Sequence, residues 1–195
     1  TDEIANVELM KRVSAMTGLL VPPVWWWYYH VGYKEIWNKR EWHDPSMKRE
    51  FDDYFQEALD RGWWAGVAGP LEDKPPRMMI EVGDNVLRRT RGGGTMFLKH
   101  LWPKLHTIVT VDPRMSATGM YSDYILPAAQ QYERPSAMGL AHTLFFTLAD
   151  KAVEPAGEAL PEWQIFRLLS RKLAERAKAR EFTEYRDARG RSYRL

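Results

Sequence analysis

Two short apolar runs constrain this chain most. "RMMIEV" (77–82) and "HTIVTV" (106–111) are brief and nearly continuous, and each breaks at once into a polar turn, Gly83-Asp84-Asn85 and Asp112-Pro113. Strands this apolar suit a sheet covered on both faces. The intervening stretch carries Phe97, Leu98 and Leu101 and is long enough for a crossover helix. "DYILP" (123–127) reads as a third strand and "HTLFFTLA" (142–149) as a fourth. Residues 161–180 read as a long amphipathic helix, opened by Leu160-Pro161-Glu162, with Trp163, Phe166, Leu169 and Leu173 on its inner side. The expected fold is therefore α/β, a doubly wound, Rossmann-like and mostly parallel sheet flanked by helices.

The part before that sheet has a different character. Ile4, Val7, Met10, Val13 and Met16 recur at helical spacing over residues 2–17. An aromatic run then crowds Trp25, Trp26, Trp27, Tyr28, Tyr29, Tyr33, Trp37 and Trp42 together without a clear period, which predicts an irregular, packed segment. Filling an interface suits it better than facing water, where it would invite aggregation. Asp44-Pro45-Ser46 is a helix-start signal, and Phe51, Tyr54, Phe55, Ala58 and Leu59 form one apolar stripe before Gly62. A Gly- and Pro-rich linker occupies residues 66–76. The expected division is an aromatic-rich helical segment over 1–70, an α/β domain over 71–180, and a tail over 181–195.

Composition bears mainly on function. A net charge of +2 gives no field that would argue for a nucleic-acid or membrane partner. With no cysteine, the chain has no disulfide, thiolate metal site or cysteine nucleophile. No apolar run approaches the length of a membrane span. The chain opens at Thr1 without Met, as a processed product or a piece of a longer protein would.

In an open α/β sheet, ligands bind outside the carboxyl ends of the strands, which selects two loops here. At the first, Gly83 permits a sharp turn and a close ligand approach, and Asn85 carries donor and acceptor on one amide. At the second, Asp112 could accept from paired hydroxyls or guanine N–H groups, and Arg114 could neutralise a phosphate. Ser116 and Thr118 add hydroxyls, and Asp123 follows at the entrance of the third strand. A nucleotide site is one reading. An ordinary Asp-Pro turn, with Ser and Thr capping a short helix, is the other. "RGGGTMFLK" (91–99) matches neither phosphate-loop spacing, and the five histidines show no paired metal-ligand spacing, so neither a catalytic nor a metal residue is assigned.

Longer stretches carry a resemblance. "LHTIVTVDPRMSATGMYSDYILPAAQQYE" (105–133), "MMIEVGDNVLRR" (78–89) and "DKAVEPAGEALPEWQIFRLLSRKLAER" (150–176) resemble segments of the molybdopterin oxidoreductases of the dimethyl sulfoxide reductase family. The aromatic segment is similar to catalytic subunits of the nitrate and selenate reductase, dimethyl sulfide dehydrogenase and ethylbenzene dehydrogenase branch. The resemblance implies an α/β domain binding the guanine-nucleotide end of a molybdopterin guanine dinucleotide, one of two that hold molybdenum in the parent enzyme. It places Gly83 and Asn85 near phosphate or ribose, Asp112 at guanine or its ribose, and Arg114 and Thr118 at the diphosphate. Asp123 is either a ligand contact or a buried Asp bonding backbone N–H groups. The resemblance further implies a longer catalytic subunit, a molybdenum ligand outside these residues, an iron–sulfur electron-transfer partner subunit and an exported location. A single fragment of this kind would be inactive alone. The competing expectation is a free-standing nucleotide- or protein-binding module whose aromatic patch docks a partner.

Overall fold

The computed structural model describes residues 24–61, 63, 71–90, 93–139, 146–186 and 192–194. The helix expected over 2–17 and the stop at Gly62 fall outside them. The chain divides into two compact units, Thr1–Met79 with Val86–Ile108, and Ile80–Asn85 with Val109–Leu195.

The first unit is helical and built on aromatic rings. The run expected to be irregular is instead two short helices, α1 (Val24–His30) and α2 (Tyr33–Trp37). Between them Gly32 adopts a φ of 82°, and a Cβ there would sit 2.6 Å from the His100 ring, so only glycine fits. Trp25, Tyr28 and Phe55 form one buried cluster, the last contributed by α3 (Phe51–Asp60). The α3 stripe was legible in the sequence, but the helix begins later than Asp44 suggested. Asp44 Oδ1 accepts from the Ser46 N–H at 2.8 Å and from its hydroxyl at 2.6 Å. That side-chain turn competes with helix formation, and the helix waits until Phe51. A second cluster joins Val31 to Val86, Phe97 and Leu101. Here the chain forms α4 (Val86–Arg89) and α5 (Gly93–Met96), which runs on as a π-helical stretch through Phe97–Leu101. Helix thus occupies the stretch where a crossover was expected.

One polar network orders the aromatic cluster. The Tyr28 hydroxyl donates to Asp52 Oδ1 at 2.6 Å and accepts from Asn38 Nδ2 at 2.8 Å. Asn38 Oδ1 in turn accepts from the Asp52 N–H at 2.9 Å. Burial, reinforced by the Asp52 carboxylate, holds the Tyr28 hydroxyl protonated far above its ordinary range.

A parallel sheet, most of whose residues fall in the second unit, confirms the α/β class. β1 (Met78–Val82), β2 (Thr107–Asp112) and β3 (Tyr124–Pro127) lie in that order as a parallel sheet. Val111 pairs with Leu126 and Asp112 with Pro127. The described residues of the fourth expected strand form β5 (Phe146–Ala149), which pairs antiparallel with β4 (Ser136–Gly139) in a separate ribbon. The short connection explains this, because a parallel partner needs a crossover of about a dozen or more residues. A second ribbon joins β6 (Glu184–Arg186) to β7 (Ser192–Arg194).

The long helix α6 (Glu162–Ala179) packs on the sheet through Ile165, which clusters with Val111 and Ala128, with Phe166 partly buried beside them. The predicted inner stripe is therefore corrected. Trp163, Leu169 and Leu173 are exposed at 56%, 39% and 58%, because the sheet meets the helix at its first turns and at Ile165.

Truncating a side chain at the centre of each region separates core from surface. Phe97→Ala is expected to lower unfolding free energy by about 3–5 kcal/mol, whereas Leu173→Ala changes it by no more than about 0.5 kcal/mol. Urea denaturation of both variants checks the contrast.

Candidate functional site

Both loops selected from the sequence lie in the second unit, at neighbouring strand ends. β1 ends in a turn where Gly83 has a φ of 66°, and the Gly83 N–H donates to the Val111 carbonyl at 3.0 Å. Asn85 also takes a left-handed φ, 55°, a conformation Asn tolerates better than most side chains. Its Oδ1 accepts from the Thr118 N–H at 3.2 Å and the Thr118 hydroxyl at 3.3 Å. The amide orientation is thereby determined, since a backbone N–H requires an oxygen opposite it. Asn85 Nδ2 then faces away from Thr118, and no group among the described residues engages it.

The second loop is organised by its own side chains. Asp112, buried at 8% exposure, accepts the Arg114 N–H on Oδ1 at 3.1 Å, which closes a tight turn across Pro113. Ser116 Oγ accepts the Gly119 N–H at 3.1 Å, ahead of a single 3-10 turn over Gly119–Tyr121. Ser122 Oγ donates to the Thr118 carbonyl at 2.9 Å, so the 2.7 Å contact between Ser122 Oγ and Thr110 Oγ1 has Thr110 as its donor. Ordinary turn chemistry thus accounts for Ser116 and for one oxygen of Asp112. It leaves the other Asp112 oxygen, the exposed Arg114 guanidinium and the Asn85 NH2 uncommitted among the described residues.

The structure brings Gly83, Asn85, Asp112 and Thr118 together. Arg114 projects from the same loop and is exposed. Asp123 departs from the buried alternative considered for it, since it is exposed at the entrance of β3. Space is open above the first turn, where a Cβ built on Gly83 meets nothing within 4 Å. Sequence reasoning missed Glu81, a buried carboxyl whose Oε1 accepts the N–H groups of both Asp84 and Asn85. The available signal was a Glu inside an apolar strand, three and four residues ahead of the turn.

Elsewhere in the unit, a cleft of about 500 Å³ lies at the start of α6, bordered by Trp163, Leu160, Glu133, Lys151 and Glu154. Its charges engage one another and the backbone: Lys151 Nζ bonds Glu154 at 2.6 Å, and Glu133 accepts the Gln130 N–H at 2.8 Å. Among the described residues, no group of three His, Cys, Asp or Glu side chains is placed to hold a metal ion.

Comparison with known proteins bears on the same loops. The sequence pattern of the molybdopterin oxidoreductases matches residues 94–172, which include Asp112, Arg114, Thr118 and Asp123 but not Gly83 or Asn85. The chain is 32% identical over 138 residues to the dimethylsulfide dehydrogenase subunit alpha of Rhodovulum sulfidophilum, covering 71% of this chain and 14% of that protein. It is 30% identical over 118 residues to the perchlorate reductase subunit alpha of Dechloromonas aromatica, covering 60% of this chain and 13% of that one. Against the respiratory nitrate reductase subunit alpha of Haloferax mediterranei, identity is 36% over 129 residues, or 64% and 13% of the two chains. The chain therefore spans only a small fraction of the length of these relatives.

The bond between the loops predicts an order among Asn85 variants. Asn85→Ala removes the acceptor facing Thr118 and places a β-carbon-bearing residue without a polar side chain at positive φ. It is expected to cost about 1–3 kcal/mol. Asn85→Gly relieves the backbone component and should be about 1 kcal/mol more stable than the Ala variant. Thermal and urea unfolding of the two variants measure the difference.

Proposed function

This chain belongs to the molybdopterin oxidoreductase family, and from that premise we propose that its second unit binds the guanine-dinucleotide end of a molybdopterin cofactor. The observation that carries the reading is the direct link between the two strand tips, Asn85 to Thr118, beside the Gly83 N–H bond to Val111. A ligand resting on one tip thereby has the other within reach.

The groups left uncommitted fit such a ligand. Asn85 Nδ2 donates to a phosphate or ribose oxygen. The free oxygen of Asp112 accepts from ribose hydroxyls or from the N–H edge of guanine. Arg114 balances the diphosphate charge, and the open space over Gly83 admits backbone close to it. Thr118 contributes by holding Asn85, and Asp123 stands at the rim of the same loop.

When bound, the molybdenum of that cofactor supplies oxygen-atom transfer or hydroxylation coupled to electron transfer. The residues of this chain bind and orient the nucleotide. Because the sequence has no cysteine, an iron–sulfur cluster held by thiolates would have to come from other polypeptide. The same proposal makes the rest of a larger catalytic subunit, and an iron–sulfur electron-transfer subunit, the partners. The exposed apolar residues of α6, Trp163 and Leu173, agree with further polypeptide packing there.

Titration calorimetry with guanosine diphosphate tests the reading. The chain is expected to bind it. Asp112→Asn keeps the acceptor for the Arg114 N–H but turns the second oxygen into a donor, and should weaken binding by about tenfold, or about 1.4 kcal/mol. Arg114→Ala should weaken it comparably and flatten its dependence on salt. Equal affinities in all three proteins would remove these residues from the site.

A further inference from the structure

Glu81 is the one charged side chain in β1, and at 3% exposure it is more deeply buried than any of the predicted site residues except Thr118. Charged groups are seldom fully buried unless paired. Its pairing is lopsided. Oε1 accepts the N–H groups of both Asp84 and Asn85, while Oε2 is buried with no hydrogen-bond partner among the described residues. A half-satisfied buried carboxyl opposes stability, and an apolar side chain of similar volume at such a place is often neutral or better. Glu81 therefore asks for a reason other than holding the fold together.

Its two donors supply one. Asp84 and Asn85 follow the glycine turn, and capping both N–H groups from below keeps Asn85 at its left-handed φ of 55°. From that conformation the Asn85 side chain reaches Thr118 with its oxygen, which leaves its NH2 directed away from Thr118. Bonds from Glu81 to the backbone of residue 85, and from the Asn85 side chain to Thr118, form one continuous connection between the two strand tips. The Asp84 and Asn85 N–H groups are also occupied internally, so the turn offers a ligand the Asn85 amide and not a row of free backbone donors.

We propose that Glu81 is a positioning residue of the candidate site: it fixes Asn85 so that the amide NH2 meets an acceptor oxygen on the phosphate or ribose of a bound nucleotide. This rests on the nucleotide-binding reading above and adds to it the group that presets the first loop.

The test uses the full 195-residue chain, guanosine diphosphate as the probe and three variants. Glu81→Gln keeps an oxygen for both N–H groups. Glu81→Leu removes it at similar volume. Glu81→Asp keeps the acid but is one methylene short of the turn, and serves if the Leu variant does not fold. Affinity is read by calorimetry, the thermal midpoint by circular dichroism, and the Asp84 and Asn85 amides by hydrogen exchange. The Gln variant should bind within about twofold of the parent. The Leu and Asp variants should bind about tenfold more weakly, with faster exchange at residues 84 and 85 and, for Leu, no fall in midpoint. Parent affinity in Leu or Asp, or a loss in Gln equal to theirs, overturns the role of Glu81. Failure of the parent itself to bind the probe overturns the nucleotide reading, and this inference with it.

Discussion

The second unit depends on how two neighbouring strand ends satisfy their backbone groups once the sheet ladder stops. At the end of β1 the Gly83 N–H still finds the Val111 carbonyl, but the next two donors have no strand to meet. Glu81 takes both, and Asn85 then reaches across to Thr118. At the end of β2 the Asp112 carbonyl accepts the Ala128 N–H while its side chain closes the turn to Arg114. Each bond removes a freedom that the loops would otherwise have, so both are shaped before any ligand arrives. Such preorganisation lowers the ordering cost of binding.

The first unit solves a different problem. Several of its aromatic rings meet edge to face, with centroid separations such as 5.1 Å for Trp27–Tyr33 and 5.3 Å for Trp26–Trp27, an arrangement that ring quadrupoles favour. Large rings bury area efficiently but carry polar atoms, and the Tyr28–Asn38–Asp52 network places those atoms where they bond one another. Packing and hydrogen bonding therefore select the same arrangement of α1, α2 and α3.

How much of this could be read from the sequence differs by element, for physical reasons. The three parallel strands were legible because short apolar runs ended by Gly-Asp-Asn, Asp-Pro and Pro127 leave few alternatives. The ribbon at Phe146–Ala149 was recognised as a strand but not as antiparallel, since pairing partners are not a local property. The aromatic run hid two helices, because rings on every side erase the periodicity that marks an amphipathic helix. Asp44 misled because its side chain bonds Ser46 and delays the helix it appeared to start. In the candidate site, residue types pointed to two loops that the structure joins by hydrogen bonds. Glu81 escaped notice because its role appears only once Asp84 and Asn85 are seen folding back over it.

The matched residues 94–172 include Asp112, Arg114 and Thr118, and the Asn85–Thr118 bonds tie the first loop, which lies outside them, to the second. The most direct measurement is a guanosine diphosphate titration of the isotope-labelled chain followed by amide chemical shifts. The largest changes are expected on residues 83–85 and 112–118. Changes centred instead on the cleft beside Trp163, with those two loops unmoved, would contradict the nucleotide reading.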